Sequence, residues 1–244
     1  MQRHFLFGIL LLAVVQLTRD TYASGNAVTV ERFKGIARSE SGKVMYTETH
    51  EVQYRGDRPQ RSVTRYFDPA GKKIGEIISD YTKNPYAPDY QFKDAGGGTL
   101  EAAEMGAGGV RLRYLNESKV LPRSGPGEPQ VVLGQGLHQL TKARMDSLAD
   151  GRDLVVRFAI PSRLDSYTFR IERLESSDAN TVRLQIGIDN WVMSLLAPTL
   201  EVDYDRKTRR LMSYRGVSNL SGPSGETMKV TMQYQYPPSS GTSP

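Results

Sequence analysis

The chain has 244 residues and a formal net charge of +5, with no cysteine at any position. Its 24% charged residues mix both signs along the chain, which excludes the concentrated basic face of a nucleic-acid binder. The lack of cysteine excludes disulfide staples, thiol catalysis, thiolate metal sites and a lipoprotein acylated on cysteine.

Arg3 and His4 precede the apolar run Phe5 to Leu17, and small residues follow at Ala23, Ser24 and Ala27. This is the order of a secretory signal peptide. The run is short against the roughly 20 residues of a membrane-spanning helix. The expectation is a leader over 1–23, cleaved after Ala23 or Ala27. The mature chain would then be periplasmic or secreted, with no transmembrane segment. About 220 remaining residues suffice for one core without disulfides.

From Val28 the chain reads as strands. Val28 to Arg38 opens the pattern, and Lys43 to Tyr54 alternates so that Val44, Tyr46, Glu48, His50, Val52 and Tyr54 share one face. Ser62 to Phe67 and Lys73 to Tyr81 flank Asp68-Pro69-Ala70-Gly71, a strong hairpin turn. Shorter strands fit Tyr90 to Lys93, Thr99 to Ala103 and Val110 to Leu115, separated by glycine turns. Pro122 to Pro129 is the best linker and leads into Val131 to Leu133.

Leu133 to Asp150 is the strongest helix candidate. Leu137, Leu140, Met145 and Leu148 recur at roughly helical spacing, and Gly151 follows as a C-cap. In a β-rich chain such a helix must bury its apolar stripe against a sheet. It either plugs an ordinary core or lines an apolar cavity within a curved sheet.

Strands resume at Leu154 to Ile160, Tyr167 to Leu174 and Val182 to Asp189. The run Trp191 to Ala197 fits a short helix or a buried strand. Leu200 to Tyr204, Arg209 to Val217 and Met228 to Tyr236 complete the set. The expected fold class is mainly β: a curved antiparallel sheet or incomplete β-barrel packed on one central amphipathic helix. One β-rich domain over 28–236 is expected, with a flexible tail over 237–244.

Catalytic and metal motifs are scarce. His50 and His138 are far apart in sequence, and no HExxH is present, so both read as satisfied or exposed histidines. Asp203-Tyr204-Asp205 lacks the glycine and glutamate of a calcium loop. Ser224 in GPSGE fails the nucleophile-elbow pattern. Pairs such as Glu48 with Glu51 would serve glycoside hydrolysis only if the fold brought acids together. Asn116-Glu117-Ser118 and Asn219-Leu220-Ser221 match the glycosylation sequon, which in a bacterial chain is accidental. No cofactor is called for, and the chain reads as no enzyme.

Apolar residues say more. The 13 Tyr can pack rings while keeping hydroxyls wet, and the 8 Met give adaptable apolar surface. Met228, Val230, Met232 and Tyr234 alternate onto one face, as a core or as a wall for an apolar ligand. The candidate ligand-binding set is Leu137, Leu140, Met145, Leu148, Trp191, Met212, Met228, Met232 and Tyr234.

The stretches Leu200 to Asp205, Arg210 to Gly216 and Gly225 to Tyr234 run as strand, turn, strand, glycine turn, strand. With the signal peptide, they resemble the periplasmic lipoprotein carriers and outer-membrane receptors of the LolA/LolB-like group, and related uncharacterised envelope proteins. The resemblance implies an incomplete antiparallel barrel around helices, with an apolar cavity for lipid chains. The single strong helix departs from a family whose members use several, and no functional residue is carried over. The first expectation is an exported bacterial envelope protein that binds or carries a lipid or other apolar ligand. The alternative is a structural or protein-interaction component of the envelope with no small ligand. A third is a hydrolase, which needs acids or His50 converging in a cleft.

Overall fold

The structure, a computed structural model, describes residues 27–176, 178–190, 199–222 and 226–238. The expected leader and the run Trp191 to Ala197 lie outside the described residues. The first half of the chain forms β1 (Val28–Arg38), β2 (Val44–Arg55), β3 (Arg58–Phe67), β4 (Lys73–Asp80), β5 (Asp89–Asp94), β6 (Thr99–Gly106), β7 (Gly109–Tyr114) and β8 (Glu117–Leu121). The second half forms β9 (Gln130–Leu133), α1 (Gly136–Ala143), α2 (Met145–Ala149), β10 (Leu154–Ile160), β11 (Asp165–Leu174), β12 (Thr181–Ile188), β13 (Leu200–Asp205), β14 (Leu211–Ser221) and β15 (Thr227–Gln235).

All fifteen strands of the described residues join one sheet, which runs from β8 back to β1, then from β15 back to β9. The first and last strands therefore pair at its middle, with Gly35 opposite Tyr234. The middle of the chain supplies both edges. Pairing is antiparallel except between β9 and β10, which are parallel. Alternation sets the faces: Val182, Leu184 and Ile186 of β12 are buried between half-exposed neighbours. At the β3–β4 turn Asp68 Oδ1 accepts the amides of Ala70 and Lys72, each at 2.9 Å.

The sheet curls until its two edges meet through side chains. Val110, Leu112 and Leu121 pack in one cluster with Val131, Leu133 and Ala159. Arg157 donates to the Pro122 carbonyl at 2.6 Å across the seam. The stretch 122–129 carries the chain over this seam. The result is a mainly β, incomplete barrel. Strand β8 was absent from the sequence reading. It is an edge strand with only Leu121 buried, so it carries no inward–outward alternation.

The expected continuous helix over Leu133–Asp150 is corrected in two ways. Leu133 belongs to β9, and the helix breaks at Arg144, where φ is −102° and ψ is 9°. Two different cores cause the break. Leu140 packs with Val132 and Val156 of β9 and β10. Met145, Leu148 and Ala149 pack instead with Ile171, Leu184 and Val202 of β11, β12 and β13. Arg209 covers the break, donating to the Lys142 carbonyl at 3.3 Å and to Asp146 at 2.8 Å. Gly151 ends α2 as expected, at φ +80° with its amide on the Leu148 carbonyl. Among the described residues no helix is long and apolar enough to cross a membrane.

Candidate functional site

A partly open cavity of about 230 Å³ lies between α1 and the curved sheet. One wall comes from β2 and β3, with Tyr46, Glu48, His50, Val52, Thr64 and Tyr66. The opposite wall carries Ile186, Val202, Tyr204 and Tyr214, while Met232 and Tyr234 line it from β15. Leu137, His138 and Thr141 present α1 to the cavity. Phe33 and His50 are shared with a surface cleft that also holds Arg32 and Arg65. Tyr54 and Gln139 are shared with a second cleft holding Asp57, Arg58, Lys142 and Arg209.

Register explains the polar side of the first wall. Alternation puts Glu48 and His50 on the inward face of β2, and His50 lies opposite Thr64 of β3. His50 Nε2 lies 2.8 Å from Glu48 Oε2, and His50 Nδ1 lies 3.0 Å from Thr64 Oγ1. Gln135, at the N-terminal end of α1, donates through Nε2 to Thr64 Oγ1 at 2.7 Å. Its Oε1 accepts Ser62 Oγ at 2.7 Å, and Ser62 Oγ lies 3.1 Å from Tyr81 Oη. The directed bonds fix the sense of donation from Tyr81 to Ser62 to Gln135 to Thr64. Thr64 Oγ1 accepts from Gln135 and keeps a second lone pair, so the Thr64–His50 and His50–Glu48 contacts take their sense from the protonation of the ring.

Gly35 makes room for the end of this chain. It is the residue of β1 opposite Glu48 and also opposite Tyr234. A Cβ there would lie 3.1 Å from the Tyr234 ring and 3.4 Å from Glu48 Oε2. Phe33 stacks on His50 with ring centroids 4.3 Å apart.

Burial holds the cavity's other ionisable groups neutral. Desolvation, helped by Lys142 and His50, lowers the His138 imidazole to about 3, and its Nδ1 lies 2.9 Å from Tyr204 Oη. Desolvation pushes the Tyr81 phenol up to about 12. Tyr46, Tyr66, Tyr214 and Tyr234 are raised by desolvation and then by the charge of Glu48. Neither lysine nor arginine lines the cavity among the described residues. No group of three His, Cys, Asp or Glu suited to a metal occurs among them either.

Of the residues chosen from sequence, Leu137, Met232 and Tyr234 line this cavity. Leu140, Met145 and Leu148 are fully packed in neighbouring cores. Met228 packs beside the cluster of β1, β2 and β15. Met212 is 42% exposed on the outer face. Trp191 lies outside the described residues. Sequence reasoning placed Glu48 and His50 on one face with Tyr46 and Val52, but read His50 as unremarkable. Two ionisable residues on an otherwise apolar strand face were the available signal. Nothing local marked Gln135.

No family model matches the chain, and no curated protein matches it. The resemblance to the LolA/LolB-like group therefore gains no match from either comparison. Among solved structures, the crystal structure of a beta-barrel-like protein of domain of unknown function DUF1849 from Brucella abortus aligns with a TM-score of 0.45. The identity is 6%, over 86% of this chain and 97% of that one. A likeness at this level carries no function across.

Proposed function

We propose that this is an exported protein of the bacterial envelope that binds a small, mainly apolar ligand inside the barrel and catalyses no reaction. The observation that carries the reading is the partly open, tyrosine-lined cavity with one polar wall. Its volume of about 230 Å³ falls below the roughly 300–1,000 Å³ of sites for drug-sized molecules. That size favours a small molecule, or one end of a longer one, over a whole phospholipid. A purely structural envelope component would call for a filled interior. The order of Arg3, His4 and Phe5 to Leu17 supports export to the periplasm or beyond.

Glu48, His50 and Thr64 have the carboxylate–imidazole–hydroxyl order of a nucleophilic triad. Thr64 Oγ1 accepts Gln135 Nε2 at 2.7 Å and so is tied into the polar wall that runs on through Gln135 to Ser62. The test is the thermal midpoint of the mature protein with indole, a small apolar probe. Saturation at 100 times Kd should stabilise the fold by about 2.7 kcal/mol. Val217→Phe, which puts bulk into the cavity, should abolish that shift. No shift in the native protein, with a clean apo mass after release from the periplasm, would overturn the reading.

A further inference from the structure

We infer that the ligand presents an organic cation, an alkyl or quaternary ammonium group, seated against Glu48 between Tyr46, Tyr66 and Tyr234. The inference rests on the binding reading above and specifies the chemistry of the same cavity. Its first ground is the position of Glu48. Across the sheet Glu48 faces Tyr66 of β3 on one side and Gly35 of β1 on the other. Beyond Gly35, which has no side chain to intervene, comes Tyr234. Along β2 the inward neighbours of Glu48 are Tyr46 and His50. Aromatic side chains thus flank the carboxylate on every side that the sheet defines.

The second ground is charge. The side chains of Glu48 and His50 are only 7% and 9% exposed. The chain of donation from Tyr81 through Ser62 and Gln135 ends on Thr64 Oγ1, which meets His50 Nδ1 at 3.0 Å. His138 and the cavity tyrosines are neutral, and no lysine or arginine lines the space among the described residues. Glu48 is the one carboxylate lining the cavity among the described residues. Its contact with His50 uses Oε2, at 2.8 Å.

A buried carboxylate that leans on an imidazole, with no lysine or arginine lining the space among the described residues, is held at a cost. The faces of tyrosine rings carry negative potential of the same sign. Both are offset by a cation too weakly hydrated to resist leaving water, which describes alkylated ammonium better than a metal ion. An anionic head, such as a fatty-acid carboxylate or a phosphate, would meet the Glu48 carboxylate with no guanidinium or ammonium group lining the space among the described residues.

The test is calorimetric titration of the mature protein with three probes of one shape: choline, the neutral 3,3-dimethyl-1-butanol, and 3,3-dimethylbutyrate. Choline should bind about tenfold or more tighter than the neutral alcohol, and the carboxylate should bind weakest. Glu48→Gln should erase the preference for choline while keeping the alcohol. Tyr234→Phe should retain choline binding and Tyr234→Leu weaken it several-fold, because the ring face and not the hydroxyl is used. If Glu48→Gln does not fold, the choline-to-alcohol ratio of the native protein decides alone. Alcohol binding equal to or tighter than choline would overturn the cation inference and leave the cavity reading standing. Binding of none of the three would overturn both.

Discussion

His138 ties the fold's stability to pH, and the size of the effect follows from its surroundings. It sits on α1 facing the cavity, bonded to Tyr204, and desolvation lowers its pKa from 6.5 to about 3. The unfolded chain therefore binds one more proton than the native state between these two values. Stability rises with pH across that window, and it is lost as pH falls from 6.5 toward 3. At about 1.4 kcal/mol per unit, the full window is worth about 5 kcal/mol, and the part above pH 5 about 2 kcal/mol. One side of the ring stays open to the cavity, so water there makes these figures ceilings. The perturbation is His138→Gln, which keeps an acceptor for the Tyr204 hydroxyl. Urea unfolding of both proteins at pH 7 and pH 5 supplies the assay. The native protein should lose about 1–2 kcal/mol more than the variant over that interval. Asp80, Asp178, Asp203 and Asp205, whose carboxyls are held low by hydrogen bonds, are common to both proteins and cancel in the difference. Parallel pH dependence in the two proteins would refute the burial of a neutral His138.

Gly136→Ala tests the entry to α1. A Cβ there would lie 2.1 Å from the Tyr86 carbonyl oxygen, which itself accepts the Leu133 amide at 3.2 Å and so is not free to move. The expected cost is about 1–3 kcal/mol, read as a Tm drop of about 2–4 °C per kcal/mol in a domain of this size. Gly108→Ala, where a Cβ meets nothing within 4 Å, should leave Tm nearly unchanged, and an equal drop would refute the close approach. Met232→Ala should cost about 2–5 kcal/mol because Met232 is 2% exposed in the core. Met212→Ala should stay within about 0.5 kcal/mol because its side chain is on the outer face. Equal costs for the two would refute the facing assigned to β14 and β15.

Much of the architecture follows from local rules. The period of two placed Tyr46, Glu48, His50 and Val52 on one face of β2, and Met228, Val230, Met232 and Tyr234 on one face of β15. Asp68 to Gly71 turned, and Gly151 capped, because their backbone preferences are local. Alternation names two faces, but curvature of the whole sheet decides which one is inside. Met212 shows the difference. Counted back from Tyr214 by twos, it belongs on the inner face. A register shift between β13 and β14, where Tyr204 pairs with Leu211 but Asp203 with Ser213, inserts a residue and turns Met212 outward. The amphipathic stripe of the helix was legible, but its break at Arg144 was not, because two cores on different strands compete for its two ends. The polar wall has the same origin. Gln135 meets Thr64 and Ser62, which lie 71 and 73 residues away in sequence. Only closure of the sheet around α1 brings them together and leaves Glu48 facing a cavity.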